Sequence, residues 1–139
     1  MCKQLKGDFS RKSISANIAT GTIGEQMAVS YLRKGGYKIL DTNARYPWGE
    51  IDIIARDRDK TLVFVEVKTL NKRGQKFADT SGLKPEDNLT RSKMEKLKKT
   101  CLFFANNNKK LSDKGWRIDL LSLTMYDECC DVNHFKNIG

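Results

Sequence analysis

The stretch Gly49–Leu70, GEIDIIARDRDKTLVFVEVKTL, combines carboxylates and a lysine with runs of apolar, β-branched residues. The alternation of side-chain types along this stretch predicts two strands joined by a turn, because successive side chains of a strand point to opposite faces. The first strand then carries Glu50 and Asp52 on one face, and the second carries Glu66 and Lys68 on one face. Apolar residues occupy both faces of the second strand, which is typical of a central strand covered on both sides. The opposite face of the first strand carries Ile51, Ile53 and Ala55.

The register of this hairpin brings the charged residues together. A turn at 58–60 puts Asp52 directly across from Glu66, with Cβ atoms about 5 Å apart, and Glu50 across from Lys68. Two carboxylates at that distance raise each other's pKa and destabilise the sheet unless a cation lies between them. Oxygen ligands of this kind suit Mg²⁺ or Mn²⁺, and the lysine would reach a metal-bound water or a phosphate. The pattern therefore predicts a metal site of the kind found in nucleases.

The overall charge indicates a polyanionic partner. The chain has 139 residues, the size of one domain, and its 26 basic and 17 acidic residues give a net charge of +9. A chain this basic favours binding to nucleic acid, although a merely solvated basic surface is the alternative. Two groups of lysines and arginines are candidates for phosphate contact, one after the hairpin and one on the second predicted helix. They are Lys72, Arg73, Lys76, Lys93 and Lys96.

Several locations and site types are disfavoured by the sequence. No run of about 18 apolar residues exists, so no membrane span or membrane partner is predicted, and no secretory signal is visible. The four cysteines lack CxxC or disulfide-framework spacing, which favours a reduced cytoplasm. Cys129, Cys130 and His134 are a weak alternative as zinc ligands, because adjacent cysteines make poor tetrahedral geometry and no fourth ligand is evident.

The order of predicted elements is helix, three strands, helix and strand, which makes a small α/β domain with a mixed central sheet flanked by helices. A basic arm precedes the domain, and a polar tail follows it. The paired glycines at 35–36 end the first helix. The predicted segments are an arm at 1–17, a domain at 18–125 with helices at 18–34 and from 85 or 90 to about 106, strands at 37–45, 49–57, 62–70 and 116–125, a loop at 71–84, and a tail at 126–139.

Some charged residues in these elements permit two interpretations. Glu25 lies within the apolar arc of the first helix, so it is either a first-turn acid favoured by the helix dipole or a third carboxylate directed at the metal site. Arg117 and Asp119 share one face of the last strand, where an ion pair is the simpler account. The buried seam of the second helix consists of Met94, Leu97, Cys101 and Phe104.

The residues Asp52 and Glu66-Val67-Lys68 resemble the PD-(D/E)xK nuclease superfamily, whose members have a restriction-endonuclease-like core. More specifically, the segments GTIGEQMAVSYLRKGGYKILDTNARYPWGEIDIIARD, VFVEVKT and WRIDLLSL resemble the YraN-like family of bacterial proteins, for which an endonuclease activity is inferred. The similarity covers residues 22–123. The YraN-like family is similar in turn to archaeal Holliday-junction resolvases and RecB-type nuclease domains.

The resemblance implies roles for individual residues. Asp52 and Glu66 would bind the metal with help from the Val67 carbonyl, Lys68 would orient or activate the attacking water, and Glu25 would complete the acidic cluster. Glu50 would act first as a partner of Lys68 and second as an accessory ligand. The chain departs from the family at Leu70, where a basic residue is common, so Lys72 or Arg73 would have to supply that phosphate contact.

These observations favour a Mg²⁺- or Mn²⁺-dependent DNA endonuclease acting on branched or processed DNA in repair or recombination. The alternative is a nucleic-acid-binding accessory protein with the same fold and no turnover. A third reading is a protein-interaction domain with a vestigial site. A two-fold homodimer would let two sites cut both strands of a junction, but no stretch of the sequence marks an interface.

Overall fold

The computed structural model describes residues 20–72 and 90–139 and contains one mixed five-stranded sheet in the order β1-β2-β3-β4-β5. Strands β3 and β4 are parallel, and the other neighbours are antiparallel. This architecture confirms the predicted α/β class and the predicted order of elements up to β4. The elements are α1 (Thr20–Lys34), β1 (Lys38–Tyr46), β2 (Gly49–Arg56), β3 (Leu62–Asn71), α2 (Arg91–Asn107), β4 (Trp116–Met125) and β5 (Cys130–Phe135).

The β2–β3 hairpin has the predicted register. The Asp57 N–H donates to the Thr61 carbonyl at 2.9 Å across the turn, and paired residues continue from the turn as far as Ile53 and Val65. Beyond this pair, the Val67 N–H donates to the Asp52 carboxylate at 2.9 Å. A side chain of β2 thus takes the place of a backbone acceptor where the two carboxylate-bearing segments meet.

Strand β3 lies at the centre of the sheet, with one helix against each face, as its apolar sequence predicted. Helix α1 packs Met27 and Leu32 against a layer that includes Val65. Helix α2 packs Leu97 and Cys101 against the opposite layer. The remaining members of these two layers include Ile53, Ala55, Val63, Leu121 and Leu123 on the α1 side, and Ile51, Ile54, Phe64 and Ile118 on the α2 side.

One detail of the predicted alternation is wrong. Ile51 was predicted to share a face with Ile53, but the two residues pack in different layers. Residues two apart share a face on a regular strand, so β2 departs from simple alternation around Asp52. The departure occurs where β2 and β3 stop pairing.

Local signals at the helix ends explain where each helix begins and ends. After α1, Gly36 adopts a φ of +90°, which glycine tolerates best, and the Tyr37 N–H donates to the Leu32 carbonyl at 3.0 Å. Helix α2 begins after Thr90, whose hydroxyl accepts a hydrogen bond from the Lys93 N–H at 3.2 Å. The described helix thus begins at the second of the two predicted starts, and Pro85 lies outside the described residues.

The segment predicted as a polar tail contains a strand. Cys130–Phe135 forms β5, which pairs antiparallel with β4 at the edge of the sheet. Only Cys130 and Val132 of this strand are buried, and two isolated apolar positions give too weak a pattern for prediction. The interpretation of residues 126–139 as an uninformative tail is therefore wrong.

A buried polar network connects β5 to the rest of the fold. The Asp119 carboxylate accepts hydrogen bonds from the Arg117 guanidinium at 3.0 Å and from the Asn137 N–H at 3.0 Å, and it lies 2.8 Å from His134 Nε2. Arg117 also donates to Asp57 at 2.9 Å. The predicted ion pair of Arg117 and Asp119 is confirmed, but it is one part of a network that joins the hairpin turn, β4 and the C-terminal residues.

Some predictions concern residues outside the described ranges. These are the basic arm at 1–17 and the part of the basic loop at 73–84 that contains Arg73 and Lys76. Within the described ranges, neither helix is long and apolar enough to cross a membrane.

Candidate metal and nucleic-acid site

Two carboxylates meet where β2 and β3 diverge. The Asp52 and Glu66 side chains lie within hydrogen-bonding reach of each other. The Val67 N–H holds Asp52 in place from the opposite strand. The structure therefore brings together the two residues that the hairpin register had paired, although their backbones do not form a regular ladder pair.

The environment of Asp52 opposes its ionisation. Burial is the largest cause, and the negative charge of Glu66 adds to it, so the pKa of Asp52 rises from 3.8 to about 6. The Val67 N–H and the positive charge of Lys68 act in the opposite direction and offset only part of this rise. A cation between the carboxylates would favour the charged forms of both, as expected of a metal site.

Lys68 lies next to this pair. Its Nζ atom is 3.2 Å from Glu66 Oε1, and the two side chains are 26% and 18% exposed. A lysine and a glutamate two residues apart on a strand share a face, which explains why the ammonium group reaches its neighbour. The ammonium is sufficiently exposed to contact a ligand while it remains paired with Glu66.

A pocket of about 230 Å³ opens beside these residues, between the sheet and α2. Glu66 and Lys68 line its sheet side, and Lys93 and Lys96 line its helix side. The structure thus places two of the predicted phosphate-contact lysines opposite the acidic residues. Lys72, a third candidate, is half-buried at the end of β3, and its N–H donates to the Met125 carbonyl at 2.8 Å.

Glu50 lines the same pocket but does not pair with Lys68 as predicted. Its carboxylate lies 3.7 Å from the Arg45 guanidinium, in an exposed ion pair across the β1–β2 hairpin. Lys68 instead pairs with Glu66. The prediction fails because the regular β2–β3 ladder ends at Ile53, before Glu50 can come to lie across from Lys68.

Glu25 does not join the two carboxylates. It lies in a different pocket, between α1 and β1, whose lining includes Arg33 and Thr42. Among the described residues, no group of three or more histidine, cysteine or acidic side chains is arranged to hold a metal ion. The structure therefore gives no support to Glu25 as a third carboxylate of the site, and that role stays a prediction.

The structure gives no support to the zinc alternative. His134 is engaged with Asp119 at 2.8 Å, Cys130 is buried with its Sγ 3.7 Å from the Asp131 carbonyl, and Cys129 is disulfide-bonded. These three residues form no metal-binding group within the described part of the chain.

The family model described as Uncharacterised protein family UPF0102 matches residues 24–123, which include Asp52, Glu66 and Lys68. The chain belongs to this family. A UPF0102 protein of Syntrophus aciditrophicus is 40% identical over 124 residues, covering 89% of this chain and 91% of the relative. A UPF0102 protein of Geobacter metallireducens is 38% identical over 123 residues, covering 87% and 92%. A third, from Thermodesulfovibrio yellowstonii, is 43% identical over 95 residues, covering 68% and 78%.

The donor set of this UPF0102 protein fits a hard divalent cation. Mg²⁺ is commonly held by one or two carboxylates, with water and substrate phosphates completing its coordination. Asp52 and Glu66 supply two adjacent carboxylates, and the basic side of the pocket can receive phosphates. The site therefore fits Mg²⁺ or Mn²⁺ shared with a phosphodiester better than an ion enclosed by protein ligands alone.

Two pocket residues had no role in the sequence-based interpretation. Thr100 is buried in α2 and donates its hydroxyl hydrogen bond to the Lys96 carbonyl at 2.9 Å. It lies so close to Gly49 that a Cβ on the glycine would be 2.6 Å from the threonine hydroxyl oxygen. This contact sets the distance between β2 and α2 beside the pocket. The available signal was a threonine adjoining the apolar seam of α2.

Proposed function

We propose that this protein is a divalent-metal-dependent DNA endonuclease that hydrolyses phosphodiester bonds in branched or processed DNA. The observation that carries the proposal is the contact of Asp52 with Glu66 beside the Glu66–Lys68 ion pair, across a pocket from Lys93 and Lys96. Metal-assisted attack on a phosphodiester uses paired carboxylates to hold the ion and cations to bind the substrate.

Each residue of the site has a distinct role in this proposal. Asp52 and Glu66 would hold the ion, and the Val67 carbonyl would be a third protein ligand. Lys68 donates hydrogen bonds from Nζ to the attacking water and to a non-bridging phosphate oxygen, and Glu66 keeps its ammonium group in position. When bound, Mg²⁺ or Mn²⁺ supplies a Lewis acid that stabilises negative charge developing on the phosphoryl oxygens.

The substrate would be held chiefly through its phosphates. Helix α2 carries five basic residues and one acid, Glu95, and two of its lysines reach the pocket. Such contacts position a strand without reading its sequence. The choice of branched or processed DNA rests on the resemblance of this family to junction resolvases and RecB-type nucleases. We also propose a cytoplasmic location.

A cleavage assay with matched variants tests the proposal. Labelled single-stranded, duplex, flap and four-way-junction DNA would be incubated in Mg²⁺ or Mn²⁺ with the wild type, Asp52→Asn, Lys68→Ala and Lys98→Ala. Lys98 is an exposed lysine of α2 outside the pocket, so its variant controls for lost charge. We expect both site variants to be at least about 100-fold slower and Lys98→Ala to match the wild type. Unchanged cleavage by both site variants would contradict the assignment.

The cationic face of α2 also favours a second candidate, an accessory protein that binds nucleic acid without cleaving it. This candidate predicts salt-dependent binding that survives Glu66→Gln, together with no metal-dependent cleavage of any substrate in the panel. The same preparations therefore distinguish the two functions.

A further inference from the structure

An exposed aromatic cluster lies beside the site pocket. Trp48 precedes β2 and is 40% exposed, and Phe103 of α2 is 45% exposed. Their ring centroids are 4.4 Å apart in an edge-to-face arrangement. Tyr46 stacks on Trp48 with an interplanar angle of 13° and a centroid distance of 5.8 Å. We refer to Tyr46, Trp48 and Phe103 as the aromatic cluster.

The aromatic cluster is continuous with the pocket. Trp48 directly precedes Gly49, which lines the pocket, and Phe103 lies one turn of α2 beyond Thr100, which also lines it. At about 100° per residue, Lys96 and Phe103 differ by roughly 20° around the helix. They are separated by about 10 Å along the helix axis. Lys96 and Phe103 thus lie on the same side of α2, Lys96 lining the pocket and Phe103 one turn beyond it.

We propose that the aromatic cluster is a stacking platform for unpaired bases, and that a single-stranded DNA segment runs from this cluster into the pocket. The inference rests on the nuclease function proposed above and specifies its substrate as DNA with an unpaired strand at the cleavage site. Proteins that bind single strands combine a cationic groove for the backbone with aromatic side chains for the bases. Duplex DNA buries its base faces in stacking and offers none to the cluster.

The observations favour nucleic acid over a second copy of the chain as the occupant. A stable protein interface buries about 800 Å² per partner, more than a few half-exposed side chains provide. A two-fold contact through the same patch would also bring the basic residues of α2 against their own copies, because such an interface uses one surface twice. Charge complementarity points instead to a polyanion with exposed rings.

Binding of three oligonucleotides tests the platform directly. The probes are a fluorescein-labelled single-stranded DNA 12-mer, an abasic 12-mer of equal charge, and a 12-base-pair duplex, measured by anisotropy without divalent metal. We expect Trp48→Ala and Phe103→Ala each to weaken binding of the single strand at least about fivefold. Binding of the abasic strand and the duplex should change less than twofold. Leu102→Ala, which removes an apolar residue of α2 that is 48% exposed, is the matched control and should behave as the wild type.

A second readout leaves the cluster intact. Trp48 and Trp116 are the two tryptophans of the chain, so Trp116→Phe makes Trp48 the single emitter. The single strand should quench its fluorescence and the abasic strand should not. Equal quenching by both strands would overturn the proposal. It would also be overturned if Trp48→Ala weakened all three probes equally, or if it converted a dimer to a monomer in sedimentation.

The outcome separates this inference from the proposed function. Base-dependent binding by a protein that cleaves nothing would support the platform and contradict the nuclease. Metal-dependent cleavage by a protein whose single-strand affinity is unaffected by Trp48→Ala would support the nuclease and contradict the platform.

Discussion

Asp52 is a buried carboxyl group of the site, and both its burial and the charge of Glu66 oppose its ionisation. Because its pKa is raised to about 6, its folded carboxyl group keeps a proton that the unfolded chain loses near pH 4. Between these values the folded protein binds more protons, so the metal-free protein loses stability as the pH rises. Above about pH 6 the penalty is complete and constant.

Asp52→Asn should remove this penalty while its amide oxygen still accepts the Val67 hydrogen bond. In the presence of a chelator, we expect the free energy of unfolding of Asp52→Asn to exceed that of the wild type. This difference between variant and wild type should be about 2 kcal/mol larger at pH 7 than at pH 4. Urea unfolding across this range measures the difference. A difference that does not vary with pH would show that Asp52 is not buried as a charged group.

Asp119 is a buried carboxylate of the opposite kind. Burial would raise its pKa, but hydrogen bonds from His134, Arg117 and the Asn137 N–H outweigh that effect and lower the pKa below 3.8. Its contribution to stability is therefore present at neutral pH and is lost as the pH falls through the lowered pKa.

We expect Asp119→Ala to destabilise the fold by about 3–5 kcal/mol at pH 7, because Arg117, His134 and the Asn137 N–H lose their shared buried acceptor and Arg117 keeps only its less buried partners. The matched control is Asp113→Ala, which removes an exposed partner of Arg56 at 3.9 Å and should cost less than about 1 kcal/mol. Thermal unfolding of both variants measures the contrast. Similar losses would mean that the network around Asp119 contributes no more than a surface ion pair.

Contacts between residues were predictable where the local sequence determines which residues are neighbours. They were not predictable where tertiary packing determines the neighbours. Asp52 and Glu66 were paired correctly, because the turn determines the hairpin register. The role of Glu25 could not be fixed in the same way, because helical periodicity gives a direction around the helix axis but not the strand beneath it. Asp119 and His134 could not be connected in advance, since their contact depends on a strand that the sequence barely signals.

At the scale of elements, the position of α1 depends on a close approach to β3. A Cβ at Gly24 would overlap the Thr69 side chain. We expect Gly24→Ala to force the helix away from the sheet and destabilise the protein by about 1–3 kcal/mol. Gly35→Ala is the control, because its nearest neighbours are 3.4 Å away. Equal unfolding midpoints in urea for the two variants would show that α1 tolerates the displacement.

The helices and strands with long apolar patterns were predictable from the sequence, and the strand with few apolar residues was not. The extents of β3 and β4 followed from long apolar runs, and the end of α1 followed from Gly35 and Gly36. The edge strand β5 was missed because only Cys130 and Val132 of it are buried, which leaves too short an apolar pattern. Its partners, the β4 backbone and Asp119, lie close in space but offer no signal in the local sequence.

At the scale of the whole molecule, net charge predicted a polyanionic partner but not where it would bind. Two lysines of α2 line the pocket because α2 packs against β2 through Thr100 and Gly49. This packing brings Lys93 and Lys96 to the pocket that contains the acidic residues. Charge and fold together specify a surface that neither specifies alone.

The most direct test of the account is the thermal shift caused by Mn²⁺ at pH 7.5, where the Asp52 carboxyl is ionised. An ion that binds only the folded state stabilises it by about 2.7 kcal/mol at a hundred times its dissociation constant. We expect the Tm of the wild type and of Lys68→Ala to rise by several degrees, and the Tm of Asp52→Asn and Glu66→Gln to stay constant. A wild type that does not respond to Mn²⁺, or carboxylate variants that respond equally, would contradict the metal site on which the proposed nuclease depends.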